Sequence, residues 1–227
     1  MNTLKQRYQK VKHDIEQLSQ EFNRDTPPML LAVSKKHPAD MIRELYGYGQ
    51  QSFGENYVQE AIDKMAHLND LNIEWHFIGP IQSNKTKAIA ENFAWVHSVD
   101  RLKIAQRLNS HLQEINKHLN ICLQVNINRE PQKSGFLRED LFSQFDNLLE
   151  FEQLSIRGLM AIPQNTNDPI KQAENFNLLK QLKTELNQQF NLTMDTLSMG
   201  MSGDIGPAIK EGSTMIRIGT AIFGARN

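Results

Sequence analysis

The chain has 227 residues, with 26 acidic side chains against 25 basic ones, for a formal net charge of −1. So even a balance gives no electrostatic footprint for nucleic acid or an anionic membrane, and no run of about 18 apolar residues is present to cross a bilayer. The charged first segment lacks a signal peptide's apolar stretch, and the single cysteine, Cys122, cannot close an internal disulfide, so the expected compartment is the cytoplasm.

The first predicted element is an amphipathic helix. Leu4, Val11, Ile15, Leu18 and Phe22 recur near helical spacing, and Asp25-Thr26-Pro27-Pro28 stops it. Short apolar runs then alternate with longer amphipathic stretches. Strands are predicted at 29–33, 51–53, 75–78, 95–99, 121–127, 156–160, 196–199 and 215–218. Helical patterns fill the gaps at 39–48, 57–68, 85–92, 101–118, 141–151, 169–190 and 207–211.

Eight strands with a helix in each gap and no hairpin signal argue for an α/β fold with a parallel sheet. A count of eight favours closure into a single (β/α)8 TIM-like barrel. An open doubly wound sheet is the alternative, but no Gly-x-Gly-x-x-Gly follows any strand. With no linker in view, residues 1–227 read as one domain carrying an extra N-terminal helix. No closing eighth helix is foreseen, and the leading helix is expected to cover the flank left open.

In a barrel, chemistry sits at the carboxyl ends of the strands. The loops after strands 7 and 8 are rich in Gly, which lets backbone N–H groups approach an anion, and Ser202, Ser213 and Thr220 offer hydroxyls. Simple turns explain such loops equally well. Lys35 follows the apolar run of the first strand: a solvated strand-end charge, or an amine placed to form a Schiff base with an aldehyde. Alternation along a strand would send Lys35 and Lys36 to opposite sides. Arg217 lies inside Met215-Ile216-Arg217-Ile218, where a buried cation needs either a carboxylate or a ligand atom. His76 reads as a hydrogen-bonded core histidine and Cys122 as a small core residue. The other histidines have no ligand-spaced companions, so no metal site is expected.

Together these strand-end residues resemble the pyridoxal-phosphate homeostasis protein family, whose fold is like the barrel domain of alanine racemase. The match includes Ala32-Val33-Ser34-Lys35, Phe53-Gly54-Glu55-Asn56-Tyr57-Val58-Gln59-Glu60, Trp75-His76-Phe77-Ile78-Gly79-Pro80, Leu197-Ser198-Met199-Gly200-Met201-Ser202 and Gly212 through Gly224. The resemblance implies that Lys35 carries pyridoxal 5'-phosphate as a Schiff base and that Arg217 faces the pyridine nitrogen. It implies that Ser202, Gly219 and Thr220 hold the phosphate, that Asn56 lies near the cofactor, and that Met160 and Met201 line the pocket. This sequence departs from relatives by carrying Lys36-His37 where they commonly have Thr-Lys, so a second amine stands beside Lys35.

The implied function is intracellular homeostasis of pyridoxal phosphate, holding and releasing the cofactor without robust catalysis. Free amino acids and the apo-enzymes that use the cofactor are the expected partners, with no nucleic acid and no membrane. An arginine at the ring nitrogen leaves that nitrogen unprotonated and weakens the electron sink. Nor is a second domain, such as supplies alanine racemase with a tyrosine, expected. The alternatives are a slow pyridoxal-phosphate-dependent racemase or transaminase, and a lysine-dependent aldolase acting on a sugar phosphate.

Overall fold

The computed structural model describes residues 3–225; Met1, Asn2, Arg226 and Asn227, the ends of the expected unit, lie outside them. Eight parallel strands pair in chain order and close on themselves. They are β1 (Met29–Val33), β2 (Ser52–Glu55), β3 (Glu74–Phe77), β4 (Trp95–Val99), β5 (Leu119–Gln124), β6 (Leu154–Met160), β7 (Thr196–Ser198) and β8 (Met215–Ile218). Closure sets β1 against β8, from Met29 opposite Met215 to Ala32 opposite Ile218. The expected barrel is the fold.

β1, β4 and β8 keep the predicted bounds, while β5 is displaced from 121–127 towards its start. Asn126 ends it. Its amide donates to the carbonyls of Glu130 and Lys133, and its Oδ1 accepts from the Glu130 N–H, so the chain curls where Val125 and Ile127 suggested more strand.

The connecting helices are α2 (Ala39–Gly47), α3 (Val58–His67), α4 (Thr86–Asn92), α5 (Leu102–Glu114), α6 (Arg138–Leu149), α7 (Pro169–Gln189) and α8 (Ile205–Lys210). The leading helix α1 (Leu4–Glu21) starts with a reciprocal cap between Thr3 and Gln6 and buries Leu4, Tyr8, Val11 and Ile15. It packs on α8 and on a one-turn helix, α9 (Thr220–Phe223), that follows β8 and was not foreseen. The Arg7 side chain ties the two together by donating to the Ile222 carbonyl at 2.7 Å. The flank is covered as expected.

β6 and β7 approach so closely at Gly158 that an added Cβ would lie 1.8 Å from the Thr196 carbonyl oxygen. Both sides of that contact are backbone, so neither can swing away. Gly158→Ala should therefore cost about 3 kcal/mol through overpacking. For a chain of this size that lowers the thermal midpoint by about 6–12 °C, which calorimetry would read directly.

Candidate functional site

The carboxyl ends of β6, β7, β8, β1 and β2 form one continuous arc of the barrel mouth, because closure makes β8 and β1 neighbours. All eight expected site residues lie on this arc: Met160 ends β6, Met201 and Ser202 follow β7, Arg217, Gly219 and Thr220 belong to β8 and its exit, Lys35 follows β1, and Asn56 follows β2. Residues far apart in sequence are thus brought to one rim by strand pairing alone.

Lys35 and Lys36 are not strand residues. β1 ends at Val33, and both lysines lie in the turn that follows, Lys35 half-buried and Lys36 exposed. Strand alternation is therefore not what separates them. Lys36 has φ 62°, the left-handed region, and this turns the chain between the two side chains.

Three charged groups surround that turn. Lys64, from α3, donates through Nζ to the Ser34 carbonyl at 2.8 Å, to Glu55 Oε1 at 2.6 Å and to Glu60 Oε1 at 2.6 Å. Ser34 Oγ donates to the same Glu55 oxygen at 2.7 Å, and the Lys36 N–H donates to Glu60 at 2.5 Å. Burial pushes the Glu55 carboxyl up, opposed by the Lys64 charge and by the hydrogen bonds from Lys64 and Ser34. The His37 ring stacks on Phe223 at 4.9 Å, fixing the far side of the turn.

Arg217 is buried across the barrel interior. Its guanidinium donates to the Ser198 carbonyl at 2.5 Å, to Ser198 Oγ at 2.8 Å and to the Ala161 carbonyl at 3.1 Å. Burial lowers its pKa to about 10, so it remains charged at neutral pH. No carboxylate among the described residues forms a direct ion pair with it.

A carboxylate is nevertheless connected to it. Ser198 Oγ lies 2.7 Å from His97 Nδ1, His97 Nε2 lies 2.9 Å from His76 Nδ1, and His76 Nε2 lies 2.8 Å from Glu74 Oε1. The hydrogen bond from His76 holds Glu74 below the usual carboxylate range, so Glu74 is ionised and can only accept. Burial pushes His76 down and His97 well down, leaving both neutral. One arrangement then satisfies every atom. Each histidine carries its proton on Nε2, Ser198 donates to His97, and Arg217 donates to Ser198. The chain of donors runs one way, from guanidinium to carboxylate.

At the β7 exit, the Met201 N–H donates to Asp204 Oδ1 at 2.5 Å, closing the loop that carries the exposed Ser202. Burial raises the Asp204 carboxyl, against the Met201 hydrogen bond and the charge of Arg217. Thr220 is exposed at the start of α9, and an added Cβ at Gly219 would stand 3.2 Å from the Val33 carbonyl oxygen. Ser213 is turned away instead, donating to the Met199 carbonyl at 2.7 Å, so it offers no hydroxyl to the mouth. Met160 is buried against Trp95 and Cys122 and forms floor, whereas Met201 stays exposed at the rim. Asn56 Oδ1 is buried with no hydrogen-bond partner and borders a 300 Å3 cleft shared with Ile78, Gln124, Lys133 and Ile162.

His76 and Cys122 are core residues, as expected, and burial pushes the Cys122 thiol up to about 12. Sequence reasoning missed Glu60, Lys64, His97 and Ser198. Glu60 and Lys64 did leave a signal, an acid and a base four residues apart on a helix. His97 and Ser198 left none, because only barrel register brings β3, β4 and β7 together.

The family model for the alanine racemase N-terminal domain matches residues 7–227. The chain is similar to the pyridoxal phosphate homeostasis protein of Pseudomonas aeruginosa, 50% identical over 228 residues that span all of this chain and 97% of that one. The protein of the same name from Vibrio alginolyticus is 48% identical over 233 residues, covering 100% and 99% of the two chains. Among solved structures, PipY of Synechococcus elongatus, determined with PLP bound, superposes with a TM-score of 0.83 at 41% identity, covering 92% of this chain and all of that one. Alanine racemase of Bartonella henselae shares the fold, with a TM-score of 0.71 at 19% identity over 93% of this chain and 60% of its own. The chain belongs to the alanine racemase N-terminal domain family and, within it, to the pyridoxal phosphate homeostasis proteins.

Proposed function

We propose that this protein binds pyridoxal 5'-phosphate at the barrel mouth as a Schiff base with Lys35, and that it holds and releases the cofactor for homeostasis rather than turning over amino acids. The residues present fit that ligand. A half-buried lysine, a fixed arginine, an orphaned amide oxygen on Asn56 and a close-packed glycine at position 219 share one rim. When bound, the cofactor supplies an aldehyde that captures amines and a ring that withdraws electrons most strongly when its nitrogen is protonated. Lys35 Nζ holds the aldehyde carbon. Ser202, Gly219 and Thr220 serve the phosphate, Met160 underlies the site and Met201 borders it.

The observation that carries the non-catalytic part of this reading is the state of Arg217. It is charged, it can only donate, and the protein side satisfies it at Ser198 and Ala161. Facing the ring nitrogen, such a group keeps that nitrogen an acceptor and leaves the sink weak. Amino acids then have access to the bound aldehyde carbon and displace Lys35, which is the route for release. Apo-enzymes in the cytoplasm are the recipients in this reading.

Incubating the loaded protein with alanine in heavy water tests it. A shift in the visible spectrum is expected, with loss of the alanine α-proton slower than ~1 s⁻¹, below the ordinary enzymatic range. Exchange at or above that rate would establish the racemase or transaminase alternative.

A further inference from the structure

Two amines stand side by side after β1, and an amine of either could take an aldehyde. Ser34 and the Lys36 backbone, on either side of Lys35, are held by side chains of α3 and β2.

The grip has an economical chemistry. An ammonium has three protons, and Lys64 gives them to three acceptors: the Ser34 carbonyl and one oxygen each of Glu55 and Glu60. The Glu60 oxygen takes a second proton from the Lys36 backbone, and the Glu55 oxygen takes a second from the Ser34 hydroxyl. Glu55 is completely buried and the Lys64 side chain nearly so. Charged hydrogen bonds at that depth are strong and cannot be exchanged for water without cost. What they hold is an unfavourable backbone state, since a lysine at positive φ gains nothing by itself. Released from Glu60, Lys36 would relax to negative φ and its side chain would sweep towards the space Lys35 occupies.

We propose that the Glu55–Lys64–Glu60 cluster is a positioning device that selects Lys35 over Lys36 as the amine that takes up the aldehyde. The inference rests on the cofactor reading above. In the step concerned, a neutral lysine Nζ attacks the aldehyde carbon. A carbon–nitrogen double bond forms, and the carbonyl oxygen leaves with the two nitrogen protons as water. The cluster touches none of the reacting atoms. It decides which nitrogen is presented.

The test is borohydride trapping of protein loaded with pyridoxal phosphate, where hydride delivered to the imine carbon makes a permanent secondary amine, followed by peptide mapping. The native chain should carry the label overwhelmingly on Lys35, with at most a trace on Lys36. In Glu60→Ala the share of label on Lys36 should rise about tenfold or more, the ratio expected for losing one hydrogen bond to a charged group. Glu60→Asp, which keeps the charge beside Lys64 but shortens its reach, should spread the label in the same way and guards against a folding defect in the alanine variant. Glu60→Gln, whose oxygen can still accept from the Lys36 N–H, should restore Lys35. A role in stability alone would change the melting temperature and leave the label where it was. Label confined to Lys35 in both the alanine and aspartate variants would overturn the selection device and leave the cofactor reading intact. Label on neither lysine in the native chain would overturn the cofactor reading itself.

Discussion

Replacing Lys35 with alanine is expected to abolish the visible absorbance of the loaded protein and all borohydride-stable label at the barrel mouth. In the proposed site the remaining contacts, Arg217 for the ring and the β7 and β8 exits for the phosphate, would make no covalent bond, so free cofactor should wash out on gel filtration. The fold should persist. Lys35 is half-buried in a turn beyond β1, and Ser34, the Lys36 backbone and His37 also make contacts that shape the turn. The loss should stay at about 1 kcal/mol, which for this length is about 2–4 °C in the midpoint. Retention of the absorbance in Lys35→Ala would remove Lys35 from the site. Loss of cooperative unfolding would show that the turn is part of the core.

A steep acid sensitivity is the second large effect expected. His76 and His97 are fully buried, and burial holds both below the ordinary histidine pKa. In the unfolded chain they take up protons below about pH 6.5, while the native state keeps them neutral until a lower pH. The unfolded state therefore binds more protons in that window, and native stability falls as the pH drops through it. Each histidine contributes about 1.4 kcal/mol per pH unit while the difference lasts. Glu55 acts in the opposite sense, since its raised pKa lets the native state bind a proton that the unfolded chain releases. The contribution of the histidines is thus read as a difference. Urea unfolding at several values between about pH 5 and pH 6.5 should show a slope in His97→Gln that is shallower than in the native chain by about one proton. Equal slopes would mean that His97 is protonated in the folded state, and the one-way donor chain from Arg217 to Glu74 would be wrong.

The barrel was legible because its signal is repetitive. Eight apolar runs with amphipathic stretches between them leave few other arrangements, and strand-end positions could be named before any pairing was known. At β5, where the boundary slipped, Asn126 closes a turn on Glu130 and Lys133 just beyond the strand. Lys35 and Arg217 were legible as charges at the edge of or inside apolar strands. The reasoning that separated Lys35 from Lys36 was not sound, because it took a turn for a strand, and the left-handed residue is the less obvious of the two. His76 was legible as a hydrogen-bonded core histidine, but the chain it belongs to was hidden for a different reason. His76, His97, Ser198 and Glu74 come from three strands, and their alignment depends on which residue opposes which across the barrel. His97 paired with Trp95 or Val99 in sequence terms reveals nothing of Ser198, 101 positions away.

Because β1 seals against β8, the rim that carries Lys35 is finished only when the eighth strand of the barrel has been synthesised. Until Met215–Ile218 docks, Arg217 and Gly219 are not beside the first strand, and the barrel interior is open to water. Pairing elements so distant in sequence is slow, since the loop-closure entropy is spent before the contacts form. A nascent or truncated chain therefore has Lys35 long before it has the completed rim, so in the proposed reading capture of an aldehyde waits for the whole barrel. The same joint makes the first and last strands a natural place for unfolding to begin. Local opening there, with no disturbance of β3 to β6, would separate Lys35 from Arg217 and, in the proposed reading, release the ligand.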